Sequence, residues 1–286
     1  MTLWAKRCQS AMLQLGELWH PISEKQVGRV GHFEFAIARL HHQCWSTSES
    51  ALFLASHGKL WDAEILTRTV LEGTFQSLAL CLASPSERDA TTEEYLVHML
   101  DIGHMRRHRR AEALLKMSSL PHDHPTMRPI AEILLSSEQL SELESKYPRK
   151  RRMLIEERWS LTKLIERVSS MDGAWKQLAG MTWSHVTASS VAHLGGEALQ
   201  VIYEREQRSE ERRSSIELAH GSRLVTDQLI LAWLRTIGVY HAEGVDPTPI
   251  WELMKEQSAS MQDLRQAYAH WHEIEYGAKV SEDQNS

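Results

Sequence analysis

The chain has few residues that break helices. Its 8 prolines and 14 glycines in 286 residues favour long helices over a turn-rich β fold. It has three cysteines, Cys8, Cys44 and Cys81. Their odd number, wide spacing and lack of a Cys-x-x-Cys pair argue against a disulfide framework and a zinc ribbon. They fit a reducing cytoplasm. No apolar run reaches the roughly eighteen uncharged residues of a membrane span. The nearest, Leu224 to Tyr240, is broken by Asp227, Gln228 and Arg235, so no membrane partner is expected. The opening MTLWAKRCQSAMLQLGELWH lacks a continuous apolar stretch, so no signal peptide is expected. A phosphate loop of the Gly-x4-Gly-Lys-Ser/Thr type and a Gly-x-Ser-x-Gly elbow are also missing. The formal net charge of −6 speaks against a whole-surface nucleic-acid binder and leaves local basic patches open.

What is present is helical periodicity. Gly58 to Leu82 reads as one helix of about six to seven turns. Leu60, Ala63, Ile65, Leu66, Val70, Leu71, Phe75, Leu78 and Leu80 cover most of its circumference, the pattern of a buried helix. Glu64, Arg68 and Glu72 follow one another at four-residue spacing, on one side of that helix. Two readings stay open. They form a structural ion-pair ladder, or they wall a polar pocket completed from elsewhere in the chain.

A first helix runs from Thr2 to His20, where Pro21 stops it. A second runs from about Lys25 to His57. Gly58 ends it, so it and the Gly58–Leu82 helix form a helical hairpin. Ser86 to Ser119 is a further long helix, followed by a Pro-rich loop at Leu120 to Pro129. Ile130 to Lys146 and Met153 to Ser170 are helical around a basic turn, Tyr147 to Arg152. Asp172 and Gly173 break the second of these. Ala174 to His193, Ser222 to Gly238 and Pro249 to Tyr276 complete the helices, and Val280 to Ser286 is a polar tail. Ala198 to Leu218 contains β-capable runs and is open to a small β-hairpin or to continued helix. The fold class is an all-α multi-helix bundle. Its expected division is an N-terminal helical segment at 1–40, a main helical domain at 41–243, and a C-terminal helix and tail at 244–286.

The second conspicuous stretch is Trp183 to Gly196, WSHVTASSVAHLGG. Ser189 and His193 lie four apart on one helix face, with His185 a further turn back. They are read either as polar residues satisfying a helix end or as facing Arg68 and Glu72 across the bundle. Together the two stretches resemble a family of prokaryotic helical proteins, the domain of unknown function 5677. Ala63, Leu66, Arg68 and Glu72 match its small-x-x-A-x-x-L-x-R-x-x-x-E helix. Ser189, His193, Gly195 and Gly196 match its S-x-x-x-H segment. The chain departs from the pattern at Leu60, where a small residue is usual. It also carries Trp183 and His185 where members often have a Tyr. The resemblance spans roughly Gln43 to Tyr240 and implies a mostly α fold with Arg, Glu, Ser and His gathered at one site. A looser similarity is to HEPN helical bundles of bacterial toxin and antiviral proteins. Their ribonucleases use R-x(4–6)-H, a spacing that Arg235 and His241 reproduce.

Two basic runs are present, Arg106 to Arg110 inside a helix and Arg149, Lys150, Arg151 and Arg152 in a turn. They are solvated faces or phosphate contacts with RNA. Metal-ligand spacings occur at His122/His124, Glu94/His98, His104/His108 and Glu217/His220. The Glu-x-x-His form of a di-iron bundle needs a second copy, so no metal and no cofactor is expected. The sequence thus supports a toxin-like or antiviral-defence helical effector of the cytoplasm. Its site would be His193, Arg68, Glu72 and Ser189, acting on RNA as a metal-independent ribonuclease. The alternative is a non-enzymatic helical interaction protein, with a protein partner or as a homodimer, whose polar cluster is structural.

Overall fold

The scarcity of breakers carries through to the backbone. The computed structural model describes residues 1–19, 31–121, 123–171 and 173–277, and among these every regular element is a helix. The α-helices are α1 (Thr2–Glu17), α2 (His32–Ser56), α3 (Leu60–Cys81), α4 (Arg88–Glu93) and α5 (Met99–Met117). They continue with α6 (Arg128–Ala131), α7 (Ser137–Lys146), α8 (Arg149–Arg158), α9 (Leu161–Ser169) and α10 (Met181–Ala192). The last four are α11 (Gly196–Glu206), α12 (Glu210–Glu243), α13 (Thr248–Ser260) and α14 (Gln262–Tyr276). No helix among the described residues is long and apolar enough to cross a membrane. The expected helix stop at His20 and Pro21, the start near Lys25, His122, Asp172 and the polar tail lie outside the described residues.

The helices form two compact units, residues 1–82 with 165–286, and residues 83–164. The contiguous segments 1–40, 41–243 and 244–286 read from the sequence cut across these units. In the first unit, α2 and α3 make the expected hairpin. Gly58 takes the left-handed conformation at φ 74°. Its N–H donates to Ala55 O, and the Lys59 N–H donates to Leu54 O at 2.9 Å, the paired bonds of a Schellman end. Leu60, Ala63, Val70, Leu71, Phe75, Leu78 and Leu80 of α3 are all buried. α12 packs along α3 closely enough that a Cβ on Gly238 would meet Leu78 at 2.9 Å. Cys8, Met12 and Leu15 of α1 join Val225, Leu229 and Trp233 of α12 and Leu264 of α14 in one apolar cluster.

The hairpin alternative for Ala198–Leu218 is not what forms. α11 and α12 occupy that stretch. Ser209 begins α12 by accepting from the Arg212 N–H at 3.5 Å, and Glu210 and Glu211 fill the first turn. An N-cap serine followed by acidic residues is a strong helix start. It accounts for helix over the Arg213–Leu218 run, while Val201, Ile202 and Tyr203 belong to α11. The final expected helix is two, divided at Met261.

In the second unit a π-helical turn at Glu94–His98 joins α4 to α5. Glu94 there accepts from Trp159 Nε1 at 3.0 Å. Tyr147 is buried and donates to Asp101 at 2.8 Å. Ser136 and Gln139 form a reciprocal capping box that starts α7. The basic residues expected in a turn instead make the first turn of α8, because Pro148 immediately precedes them and suits a helix start.

Gly73 tests the closeness of α2 and α3. A Cβ at this position would lie 2.5 Å from Cys44 Sγ. Gly73→Ala should therefore destabilise by about 1–3 kcal/mol despite its better helix propensity. Urea unfolding should also show that Cys44→Ala in the same chain recovers most of the loss. A neutral single variant would mean that the helices have room to part.

Candidate functional site

The side chain that gathers polar groups is Glu64, one turn into α3 and only 1% exposed. A buried carboxylate needs cationic or hydrogen-bonding partners. Here α12 supplies them. His220 Nε2 lies 2.7 Å from Glu64 Oε2, and Arg223 Nη2 bonds the same oxygen. Arg223 Nη1 also donates to Asp227 Oδ2 at 2.7 Å. From α11, Arg205 Nη1 sits 2.9 Å from His220 Nδ1. A guanidinium can only donate, so Nδ1 is the acceptor and Nε2 carries the hydrogen given to Glu64. This arrangement requires a neutral imidazole. The Arg205 guanidinium also lies over the Trp61 ring at 4.3 Å, and Trp61 meets His220 edge-on at 5.0 Å.

The electrostatics agree with this tautomer. Burial pushes His220 down. The bond and charge of Glu64 pull it up, Arg223 and Arg205 push it down again, and it ends below the usual histidine value. Burial pushes Glu64 up, but the His220 bond and the Arg223 charge more than reverse this, so it stays ionised below the ordinary range. Asp227 is pushed up to about 6, by burial first and by Glu64 too, with Arg223 only partly offsetting them. Burial lowers Arg205 to about 10.

Two concavities flank this network, both inside the first unit. A cleft of about 370 Å³ is lined by Trp61, Arg205, His220 and Arg223, with Tyr268 and Trp271 of α14 forming an aromatic wall. The indole N–H of Trp271 is buried and has no hydrogen-bond partner. A smaller cavity of about 180 Å³ is lined by Arg68, Thr67, Leu71, Asp227 and Leu231, with Met181 and Ala188 of α10. Glu64 lines both.

The residues singled out from the sequence are only partly brought together. The expected Glu64–Arg68–Glu72 ladder does not form. Glu64 turns to α12, and Arg68 Nε is buried without a partner. Arg68 lines the smaller cavity, whose surface is mostly apolar, and α10 packs on α3. Ser189 is half-buried, His193 is the exposed residue capping α10, and neither lines the cavity. Leu194, ahead of the glycine pair, takes the left-handed conformation at φ 48°. The side chains of Trp183 and His185 lie outside the described set. Arg235 is fully buried and donates to Thr74 Oγ1 at 2.7 Å, while His241 is exposed. Six residues is about 240° around a helix, so this pair does not share one site.

Arg149 and Lys150 are exposed. Arg151 donates to Lys146 O and lies over the Tyr147 ring, and Arg152 reaches Met105 Sδ. Among the described residues no group of three His, Cys, Asp or Glu side chains is placed to hold a metal. Glu217 is exposed, and His220 turns instead to Glu64. The cluster that does form was visible as His220, Arg223 and Asp227. At i, i+3 and i+7 they lie on one face of α12. No protein-family model, curated protein or solved structure matches the chain.

Two experiments separate this hub from a ladder. Glu64→Ala should destabilise by about 3–5 kcal/mol because it strands buried cations, whereas Glu72→Ala should stay within about 0.5 kcal/mol. Equal losses in urea unfolding would restore the ladder. The second experiment uses pH. The fold holds the Asp227 proton more tightly than the unfolded chain does. Ionised Asp227 therefore costs stability at neutral pH, and the cost is relieved as pH falls through about 6 and is gone below the ordinary 3.8. His220 acts in the opposite sense, because its lowered value makes the fold lose stability below about 6.5. The difference between wild type and Asp227→Asn isolates the carboxyl. It should move in favour of wild type by up to about 3 kcal/mol between roughly pH 7 and pH 4. A constant difference would place Asp227 in an ordinary environment.

Proposed function

We propose that this chain is a helical effector that acts on RNA through the cleft around His220. The observation that carries the reading is the company His220 keeps. Arg205, Arg223 and a Glu64-held imidazole face a cleft of about 370 Å³ walled by Trp61, Tyr268 and Trp271. Guanidinium groups suit phosphate oxygens. Aromatic faces stack unpaired bases at about 1–3 kcal/mol each. A neutral histidine is a competent general base near pH 7. Arg205 occupies Nδ1. A phosphate that draws Arg205 away would free Nδ1 to take the proton of a ribose 2′-OH. The oxygen would then attack the adjacent phosphorus to form a 2′,3′-cyclic phosphate and expel the 5′ oxygen, which would take up a proton from protonated His220 or from water, with no metal required. Exposed Arg149 and Lys150, in the other unit, are a separate candidate for phosphate contact without sequence preference. The toxin-like or antiviral-defence setting is carried by the resemblance to the domain of unknown function 5677 and HEPN families. A cytoplasmic setting fits three buried cysteines that form no disulfide among the described residues.

One observation favours a second reading, a non-enzymatic helical interaction protein with a structural polar cluster. Both ring nitrogens of His220 are engaged, and the residue is 8% exposed. The full chain incubated with short single-stranded RNA in chelator decides between them. Cleavage lost in His220→Ala, with the thermal melt little changed, supports the effector reading. Trp61→Ala should weaken RNA binding about 5- to 150-fold. Removing Arg149 and Lys150 should flatten the log–log salt slope by about 1.4. No RNA binding at low salt, or equal cleavage by His220→Ala, would leave the interaction protein.

A further inference from the structure

We infer that the smaller cavity, on the other side of Glu64 from the cleft, is a binding site for a free α-amino acid with a short apolar side chain. The inference starts from two charged groups that face the same cavity without meeting. Arg68 of α3 lines it, has a buried Nε–H with no acceptor, and forms no ion pair among the described residues. Asp227 of α12 lines it too. One of its oxygens is held by Arg223, and no ion pair joins it to Arg68. The cavity thus has a cationic wall and an anionic wall held apart. Its remaining surface includes Leu71, Leu231 and Met181. The raised pKa of Asp227 fits a carboxylate whose charge is incompletely matched.

A ligand that completes this cavity carries a carboxylate for Arg68, an ammonium for Asp227 and an apolar group for the leucine and methionine wall. An α-amino acid has those three groups on one carbon. Size agrees. The volume of about 180 Å³ equals roughly six waters' share of liquid, which suits alanine to valine and excludes a nucleotide. A plain carboxylate would leave Asp227 unmatched, and a plain amine would leave the buried Arg68 N–H without an acceptor, each a costly omission. This site does not depend on the RNA reading, because His220 and Arg205 do not line the cavity and Arg68 does not line the cleft.

Titration calorimetry on the full chain with three matched probes tests the proposal. L-valine has both charged groups, 3-methylbutanoate lacks the ammonium, and isobutylamine lacks the carboxylate. L-valine should bind at least about tenfold more tightly than either. Arg68→Gln should lose L-valine binding, and Asp227→Asn should make L-valine and 3-methylbutanoate bind alike. His220→Ala should bind L-valine as wild type does, whatever its effect on RNA. Circular dichroism confirms that each variant is folded. If Arg68→Gln does not fold, Arg68→Lys and Asp227→Asn carry the test. No saturable binding of L-valine or L-alanine up to about 10 mM would overturn the inference. So would 3-methylbutanoate binding as tightly as L-valine, or L-valine binding that ignores both cavity variants.

Discussion

A carboxylate buried between two helices is the constraint on which this molecule turns. Glu64 is almost wholly inaccessible, and an ion in that position persists only with partners of matched geometry. Its partners, His220 and Arg223, both come from α12. The pairing fixes how α12 lies along α3. Further along, Gln228 donates to Thr67, and Arg235 donates to Thr74. The residue numbers rise together on both helices, so the two run in the same direction. The last two contacts are seven residues apart on each helix, the spacing that keeps a stripe facing its partner over two turns. Apolar packing alone would tolerate a slip of one turn. These polar contacts do not, since each slipped position leaves a buried donor or carboxylate unmet.

The lowest of these contacts is the least satisfied. Arg235 is completely buried, yet only Nη1 has a partner, and Nε and Nη2 have none. Its charge is felt by its neighbours. His41 is driven down to about 3, mostly by burial and then by Arg235, and so stays neutral. Burial raises the Cys44 thiol more than Arg235 lowers it, so Cys44 stays a thiol. The cation is therefore not matched by a thiolate beside it. It sits against Thr74 of α3 and near Cys44 of α2, next to the tight approach of Gly73 to Cys44. Stability lost to this unmatched charge has to be recovered from the apolar surface around it, and Phe75, Leu78 and Leu80 are buried there without remainder.

The helices were legible because their signals are local. Gly58 announced a left-handed helix end and adopts one. The apolar circumference of α3 announced burial. The signals that failed were those requiring a partner to be chosen. Glu64 and Arg68 have the right spacing for an ion pair, but an i, i+4 bond on one helix is worth only a few tenths of a kcal/mol. A buried bond to another helix is worth more, so Glu64 turned to α12. The Glu217-x-x-His220 spacing drew attention to the right histidine for the wrong reason, because Glu217 faces solvent and the partner lies 156 residues away. Ser189 and His193 share a helix face as their spacing requires. Whether that face meets a cavity depends on the rotation of α10, which four-residue spacing does not encode. The Ala198–Leu218 stretch was ambiguous in propensity, and its second half follows a cap at Ser209. That short-range signal stands in the sequence as Ser-Glu-Glu.

Arg223 gives the two concavities a common physical fate. One of its terminal nitrogens holds Glu64, which lines both spaces, and the other holds Asp227, which lines only the smaller. Under the proposed function, a phosphate entering the cleft would compete with both carboxylates for that guanidinium. As Arg223 is drawn toward the cleft, Asp227 loses the cation that partly offsets its burial, and its proton is held more tightly still. A cation entering the smaller cavity acts in reverse, stabilising ionised Asp227 and loosening its claim on Arg223. Binding free energies are reciprocal, so whatever one ligand does to the other's affinity is returned in equal measure. The coupling needs no movement of helices. It needs only that one guanidinium be shared by two carboxylates with different exposures, which is the arrangement that the i, i+3, i+7 stripe on α12 builds.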